Sequence, residues 1–151
     1  MGISEEIKQE TFKDEYQKAL INLFYTSNWL AEKVRMFLSH ADLTMQQFNV
    51  LRILRGSKGT PLSTLQIRER MLDKMSDTSR IVDRLVKKEL AKKTICERDK
   101  RLVDIEITPK GLSLLEELDQ NEVSVHHYLM GLSSQEAANL NQLLDKMRED
   151  Q

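Results

Sequence analysis

Between residues 76 and 84 the chain reads Ser76-Asp77-Thr78-Ser79-Arg80-Ile-Val-Asp-Arg84: four short polar side chains, then two arginines four residues apart. On a helix, Ser76, Arg80 and Arg84 share one face. The set suits contact with a polyanion that also offers hydrogen-bonding edges. Short polar groups at a helix N-terminus meet phosphates, which the positive end of the helix dipole favours. Longer arginine donors further along reach base edges in a major groove. Lys87 closes the same stretch. Asp77 is the difficult member, since a carboxylate facing phosphate is repelled. It accepts from cytosine N4, caps the helix, or orients an arginine. A plainer reading is also open, in which Asp77 or Asp83 pairs with the arginines as a solvated ion-pair ladder.

A second charged set follows at Glu97-Arg-Asp-Lys-Arg101. Arg98, Lys100 and Arg101 suit a narrow minor groove, whose strong negative potential attracts guanidinium groups. Asp99 is expected to be structural, holding a neighbouring arginine or closing a turn. Lys88, Lys92 and Lys93, like Lys87, would add at most phosphate contacts, giving salt-sensitive, sequence-independent affinity. The overall charge of −1 conceals a matching asymmetry. From Pro61 to Arg101 there are 12 Lys/Arg against 7 Asp/Glu, and from Leu112 to Gln151 there are 2 against 8. A basic middle beside an acidic tail is what a local nucleic-acid footprint produces.

Other chemistries are poorly served. There is no Gly-rich phosphate loop and no nucleophile motif, so an enzyme is not expected. No cofactor is expected either. His126 and His127 are adjacent and diverge by about 100° on a helix, which prevents them from chelating one ion. His40 near Asp42 is an isolated pair. Cys96, the single cysteine, permits no intrachain disulfide and is expected to be a buried, inert thiol.

The elements that must position these residues follow from period and punctuation. Apolar residues at Phe12, Tyr16, Leu20, Leu23, Leu30, Val34 and Phe37 or Leu38, with Ser27 small between them, mark one long amphipathic helix. Thr44-Met-Gln-Gln47 and Ser63-Thr-Leu-Gln66 read as capping boxes that open two further helices. The first of these carries Phe48, Leu51 and Leu54, and the second carries Leu65, Ile67 and Met71–Leu72. After a turn, Ile81, Val82, Leu85 and Val86 form the apolar side of the helix bearing the arginines. Two short helices in tandem, the second basic, make a helix-turn-helix. The period then changes to two: Thr94, Ile95 and Cys96 form a short β-prone run, and Val103, Ile105 and Ile107 alternate with polar neighbours. The charged set at 97–101 is therefore the tip of a hairpin, a wing. Thr108-Pro109 starts a final helical region. Its apolar stripe runs through Leu112, Leu115, Leu118, Val125 and Leu129, and Ser133-Ser-Gln-Glu136 caps a last helix carrying Leu140, Leu143, Leu144 and Met147.

The predicted fold is mostly α with a small β-hairpin wing, organised as one domain over residues 1–151. A winged helix-turn-helix at 44–108 is flanked by long helices at 10–40 and 109–151, with the recognition helix at about 74–88. The flanking helices carry more apolar stripe than the middle module can cover, so a homodimer is expected. No run approaches the ~18 apolar residues of a membrane span, and the first residues lack the pattern of a signal peptide. A cytoplasmic protein with no membrane partner is expected.

From about Thr11 to Asp150 the chain resembles the MarR (multiple antibiotic resistance regulator) family of bacterial transcription factors. Asp99-Lys-Arg101 followed by Ile107-Thr108-Pro-Lys-Gly111 is similar to the family's wing pattern. Ser79-Arg-Ile-Val-Asp-Arg-Leu85 with Lys87-Lys88 resembles its recognition helix, and Leu43-Thr-Met-Gln-Gln-Phe48 the opening of its second helix. The resemblance implies a dimer with interlocked terminal helices. It implies recognition helices in successive major grooves of a pseudo-palindromic double-stranded DNA operator, with wings in the flanking minor grooves. It implies repression, and a small aromatic or anionic effector held where the dimerisation helices meet the winged module. Trp29, Phe37, His40, Phe48 and Arg52 are the candidates to line that pocket, with Arg52 as anion partner; the alternative is that the aromatic residues are simply core. One departure stands out. Where family members often carry Gly after the paired basic residues, this chain has Glu89, which must either accept a left-handed backbone or end the helix differently. The competing expectation is a winged-helix dimer that recognises protein or RNA.

Overall fold

The structure is a computed structural model, and it describes residues 1–120, 128 and 131–149. A four-residue helix α1 (Ile3–Glu6) precedes the long α2 (Glu15–Ser39). Then come α3 (Met45–Gly56), α4 (Thr64–Arg70), α5 (Thr78–Lys87), strands β1 (Ala91–Ile95) and β2 (Val103–Ile107), α6 (Pro109–Gln120) and α7 (Ser134–Glu149). The mostly helical architecture with one hairpin is the predicted fold class.

The start signals act as their chemistry dictates. Thr44 Oγ1 accepts from Gln47 N at 3.1 Å while Gln47 Oε1 accepts from Thr44 N at 3.2 Å, closing a capping box on α3. Ser63 and Gln66 do the same for α4, and each box satisfies two otherwise orphaned amides. Asp14 caps α2, so that helix begins later than the apolar spacing from Phe12 indicated. The strands pair antiparallel from Ala91 opposite Ile107 to Ile95 opposite Val103. Leu62 adds a bridge to Ile105, which stitches the segment before α4 onto the wing.

One core serves the winged module. Leu38, Val50, Leu51, Leu54, Ile67, Met71, Val82, Leu85, Ile105 and Leu115 are all essentially closed to solvent. They come from α2, α3, α4 and its C-cap, α5, β2 and α6. The apolar stripe of α2 is divided. Its C-terminal part, Leu30, Val34 and Leu38, packs into this core, whereas Tyr16, Leu20 and Leu23 are exposed. In α7 no residue is buried, and Leu140, Leu143 and Met147 lie open. The predicted stripe positions Val125 and Leu129, with His126 and His127, lie outside the described residues.

The departure at Glu89 resolves clearly. Glu89 has φ +61°, the left-handed value that glycine accepts most easily. Its N–H donates to Val86 O at 2.9 Å, and Leu90 N–H donates to Leu85 O at 3.0 Å. That pair of bonds is the Schellman helix end, completed by burial of Leu85 and Leu90. The Thr-x-x-Gly segment then locks onto it. Thr108 Oγ1 donates to Glu89 O at 2.7 Å and accepts from Gly111 N at 3.1 Å, and Thr108 N donates to Leu90 O at 3.1 Å. A Cβ on Gly111 would sit 2.4 Å from Leu90 O and 2.8 Å from Ile107 Cγ1. Only glycine lets α6 start this close to the end of α5.

Candidate nucleic-acid interface

Asp77 caps α5: its Oδ1 accepts from Arg80 N at 3.2 Å. Of the three roles open to it in the sequence, the structure shows this one. The cap frees the arginines, which make no ion pair among the described residues; Asp83 instead binds Lys93 on β1 at 3.0 Å. Arg80 and Arg84 are exposed and flank a concavity of about 350 Å³ that Gln46, Met75, Ser76 and Asp77 also line. Ser79 is exposed, and Thr78 is buried. The hydroxyls of Ser76 and Thr78 are closed to solvent and lack a hydrogen-bond partner among the described residues.

Several basic residues near the module are held in local pairs. Lys88 binds the backbone carbonyl of Asp42 and, at 2.9 Å, its carboxylate. Lys92 binds Glu106 at 2.9 Å, and Lys110 binds Glu89 at 3.2 Å. These three, with Lys93, spend their charge inside the module. Arg80, Arg84, Lys87, Arg98 and Lys100 are exposed and are in no ion pair among the described residues. The positive charge of α5 and the wing tip is therefore available to phosphate.

At that tip Arg101 and Asp99 form a fork. Asp99 Oδ1 accepts from Arg101 Nε and from Arg101 N, and Oδ2 accepts from Nη2, each at 3.0 Å. The guanidinium side-chain bonds, then the backbone bond, hold the Asp99 carboxyl below the usual carboxylate range. Leu102 N donates to Asp99 O and Cys96 N to Leu102 O, closing the hairpin. Arg101 remains 89% exposed at its side chain, so it is oriented without being covered. Cys96 is half-buried just beyond β1.

The five candidate pocket residues are not gathered at one place. The Arg52 guanidinium lies over the Phe48 ring at 5.6 Å, a cation–π pair. Phe37 and Phe48 pack against the core, and His40 is exposed at the end of α2. Trp29 lines a separate cavity beside α1. Two contributors to the α5 concavity escaped the sequence reading. Gln46 was reachable, because the capping box at Thr44 fixes it in the first turn of α3. Met75 had no signal, since its apolar type reads as core while the structure leaves it 93% exposed. Among the described residues there is no cluster of three or more metal-ligating side chains.

A capped basic helix, a preceding short helix and a hairpin with a held arginine define the class: a winged helix-turn-helix. The MarR family model matches residues 43–103, from just before α3 to the first residue of β2. Among solved structures the chain is similar to a MarR transcription factor from Planctomyces limnophilus, with 28% identity over 93% of this chain and 100% of that one and a TM-score of 0.69. It is similar in fold to a mutant MarR from E. coli complexed with operator DNA (23% identity, 91% and 99% covered, TM-score 0.76). It is similar in fold also to Bordetella bronchiseptica BpsR, whose DNA binding is regulated by 6-hydroxynicotinic acid (23% identity, 84% and 96% covered, TM-score 0.71). No match is found among curated proteins. The family-model match covers the winged module, and over the rest of the described chain the likeness to MarR structures is one of fold.

Proposed function

We propose that the protein is a homodimeric repressor that binds a pseudo-palindromic operator and is released by a small molecule. In this reading α5 and the turn before it, residues 74–88, enter the major groove. Arg80 and Arg84 reach base edges, and the exposed Ser79 and Lys87 face the phosphate backbone; Asp77 serves as the helix cap, and the hydroxyls of Ser76 and Thr78, closed to solvent, make no contact. Arg98, Lys100 and Arg101, on the 97–101 wing, enter the minor groove. The observation that carries the reading is the state of the α5 and wing-tip cations: Arg80, Arg84, Lys87, Arg98 and Lys100 are exposed and in no ion pair among the described residues, and Arg101 is held in a fork by Asp99 while its side chain stays exposed. A homodimer is supported by the apolar residues left open on α2 and α7. Release by a small molecule is supported by the regulation of BpsR, with the Phe48–Arg52 pair suited to an aromatic anion.

The test is fluorescence anisotropy against DNA from upstream of the protein's own gene, beside a scrambled duplex, at two salt concentrations. Tighter binding to the cognate duplex, weakening with salt, is expected. Arg101→Ala should lower that affinity about tenfold and leave the oligomeric state unchanged. Equal weak binding to both duplexes, persisting after selection from random sequences, would favour recognition of protein or RNA instead.

A further inference from the structure

Helix α1 folds back along α2. Ile3 is buried in this contact, and the Tyr25 hydroxyl donates to the Glu6 carboxylate at 2.8 Å. Between the two helices lies a cavity of about 420 Å³ lined by Met1, Ile3, Glu6, Asn22, Tyr25, Thr26 and Trp29. Its size falls within the range of small-ligand pockets. Its lining holds two aromatic rings and one carboxylate, with no lysine or arginine side chain. Glu6 is in no ion pair among the described residues. The carboxylate pushes the Tyr25 phenol upward in pKa, as expected where negative charge is held against the wall. Aromatic faces are electron-rich and attract cations, most strongly for tryptophan. Tyr128 meets the Trp29 ring edge-on at 5.9 Å and 82°, an arrangement that fixes the indole.

We infer that this α1–α2 cavity binds a lipophilic cation, through the faces of Tyr25 and Trp29 and the carboxylate of Glu6. The cavity goes beyond the operator-binding reading and does not depend on it. It also has the opposite charge preference to the Phe48–Arg52 pair. Its position is compatible with a dimer. Asn22, Tyr25, Thr26 and Trp29 share one face of α2, and that face lies roughly a third of a turn from the stripe of Tyr16, Leu20 and Leu23 left for a second copy.

Trp29 is the only tryptophan in the chain, so its emission reads the cavity directly. Titration of the full chain, without DNA, with tetraphenylphosphonium should change Trp29 fluorescence saturably, and benzoate at the same concentrations should not. Glu6→Gln, an isosteric change at an exposed site, should weaken cation binding about tenfold, and Glu6→Lys should abolish it. Arg52→Gln should leave it unchanged. The proposal is overturned if the wild type gives no saturable response to the cation, if Glu6→Gln and Glu6→Lys bind it as the wild type does, or if benzoate is the ligand that saturates. Because the titration contains no DNA, none of these outcomes bears on operator binding.

Discussion

The winged module and α7 are built from the same local devices and end in opposite states. In the module, capped helices bring Leu51, Leu54, Ile67 and Leu85 into a core closed to solvent. In α7 the cap is as good: Glu136 N donates to Ser133 Oγ, and the Glu136 carboxylate accepts from both Ser133 N and Ser133 Oγ. Those bonds hold the Glu136 carboxyl below its ordinary range. An apolar series at Leu140, Leu143 and Met147 follows, yet no residue of α7 is buried. Capping and periodicity make a helix; burial decides whether the helix is stable. A solitary helix of this length is marginal in water, so the exposed stripe is a demand for a surface that the single chain does not supply.

The comparison can be broken most forcefully inside the module. Gly111→Ala should destabilise it by about 2–4 kcal/mol, because a backbone carbonyl cannot yield to the new methyl group; a lowered denaturation midpoint at unchanged m-value is the expected observation. On the α7 side the effect should appear in assembly instead. Leu143→Glu should weaken self-association by at least about tenfold while leaving the far-UV signature of the winged module in place, as light scattering and circular dichroism would show. A stabilising change should sharpen the contrast: Glu89→Gly relieves the left-handed penalty and should raise stability by about 0.5–1 kcal/mol, less the small loss of the exposed Lys110 pair. The smallest effect is electrostatic. Asp99 has its carboxyl pKa depressed, so the order it gives the wing is present above the ordinary carboxylate range and is lost as pH falls through its lowered value. In Arg101→Ala, the Asp99 carboxyl titration followed by NMR should move upward toward the ordinary range, and an unchanged midpoint would show that the fork does not hold it.

Much of this architecture is legible in the sequence because its signals are local. The two boxes at Thr44 and Ser63, the switch of period at Val103–Ile107 and the charged hairpin tip each depend on residues within a few positions of one another. Thr78 was also readable in principle. It stands four residues before Val82 and seven before Leu85, on the buried face, but its polar type suggested an outward role. Other features depend on contacts across the fold. Lys88 reads as a phosphate ligand until Asp42, 46 residues away, is found beneath it. The grouping of Trp29 with Arg52 presumed that five residues spread over two helices converge, whereas the packing of α1 on α2 sets Trp29 among different neighbours. Helix α1 itself is too short for periodicity to declare it.

The bonds from Thr108 to Glu89 and Leu90 have a mechanical meaning. They weld the first turn of α6 to the last turn of α5, and Gly111 removes the spacer that would separate them. Lys110 adds a strut by donating to Lys88 O at 3.0 Å. A lever has its gearing where two arms meet rigidly, and here the arm that leaves the module meets the arm that carries Arg80 and Arg84 with no hinge between them. A displacement of α6 would therefore be passed to α5 through these bonds.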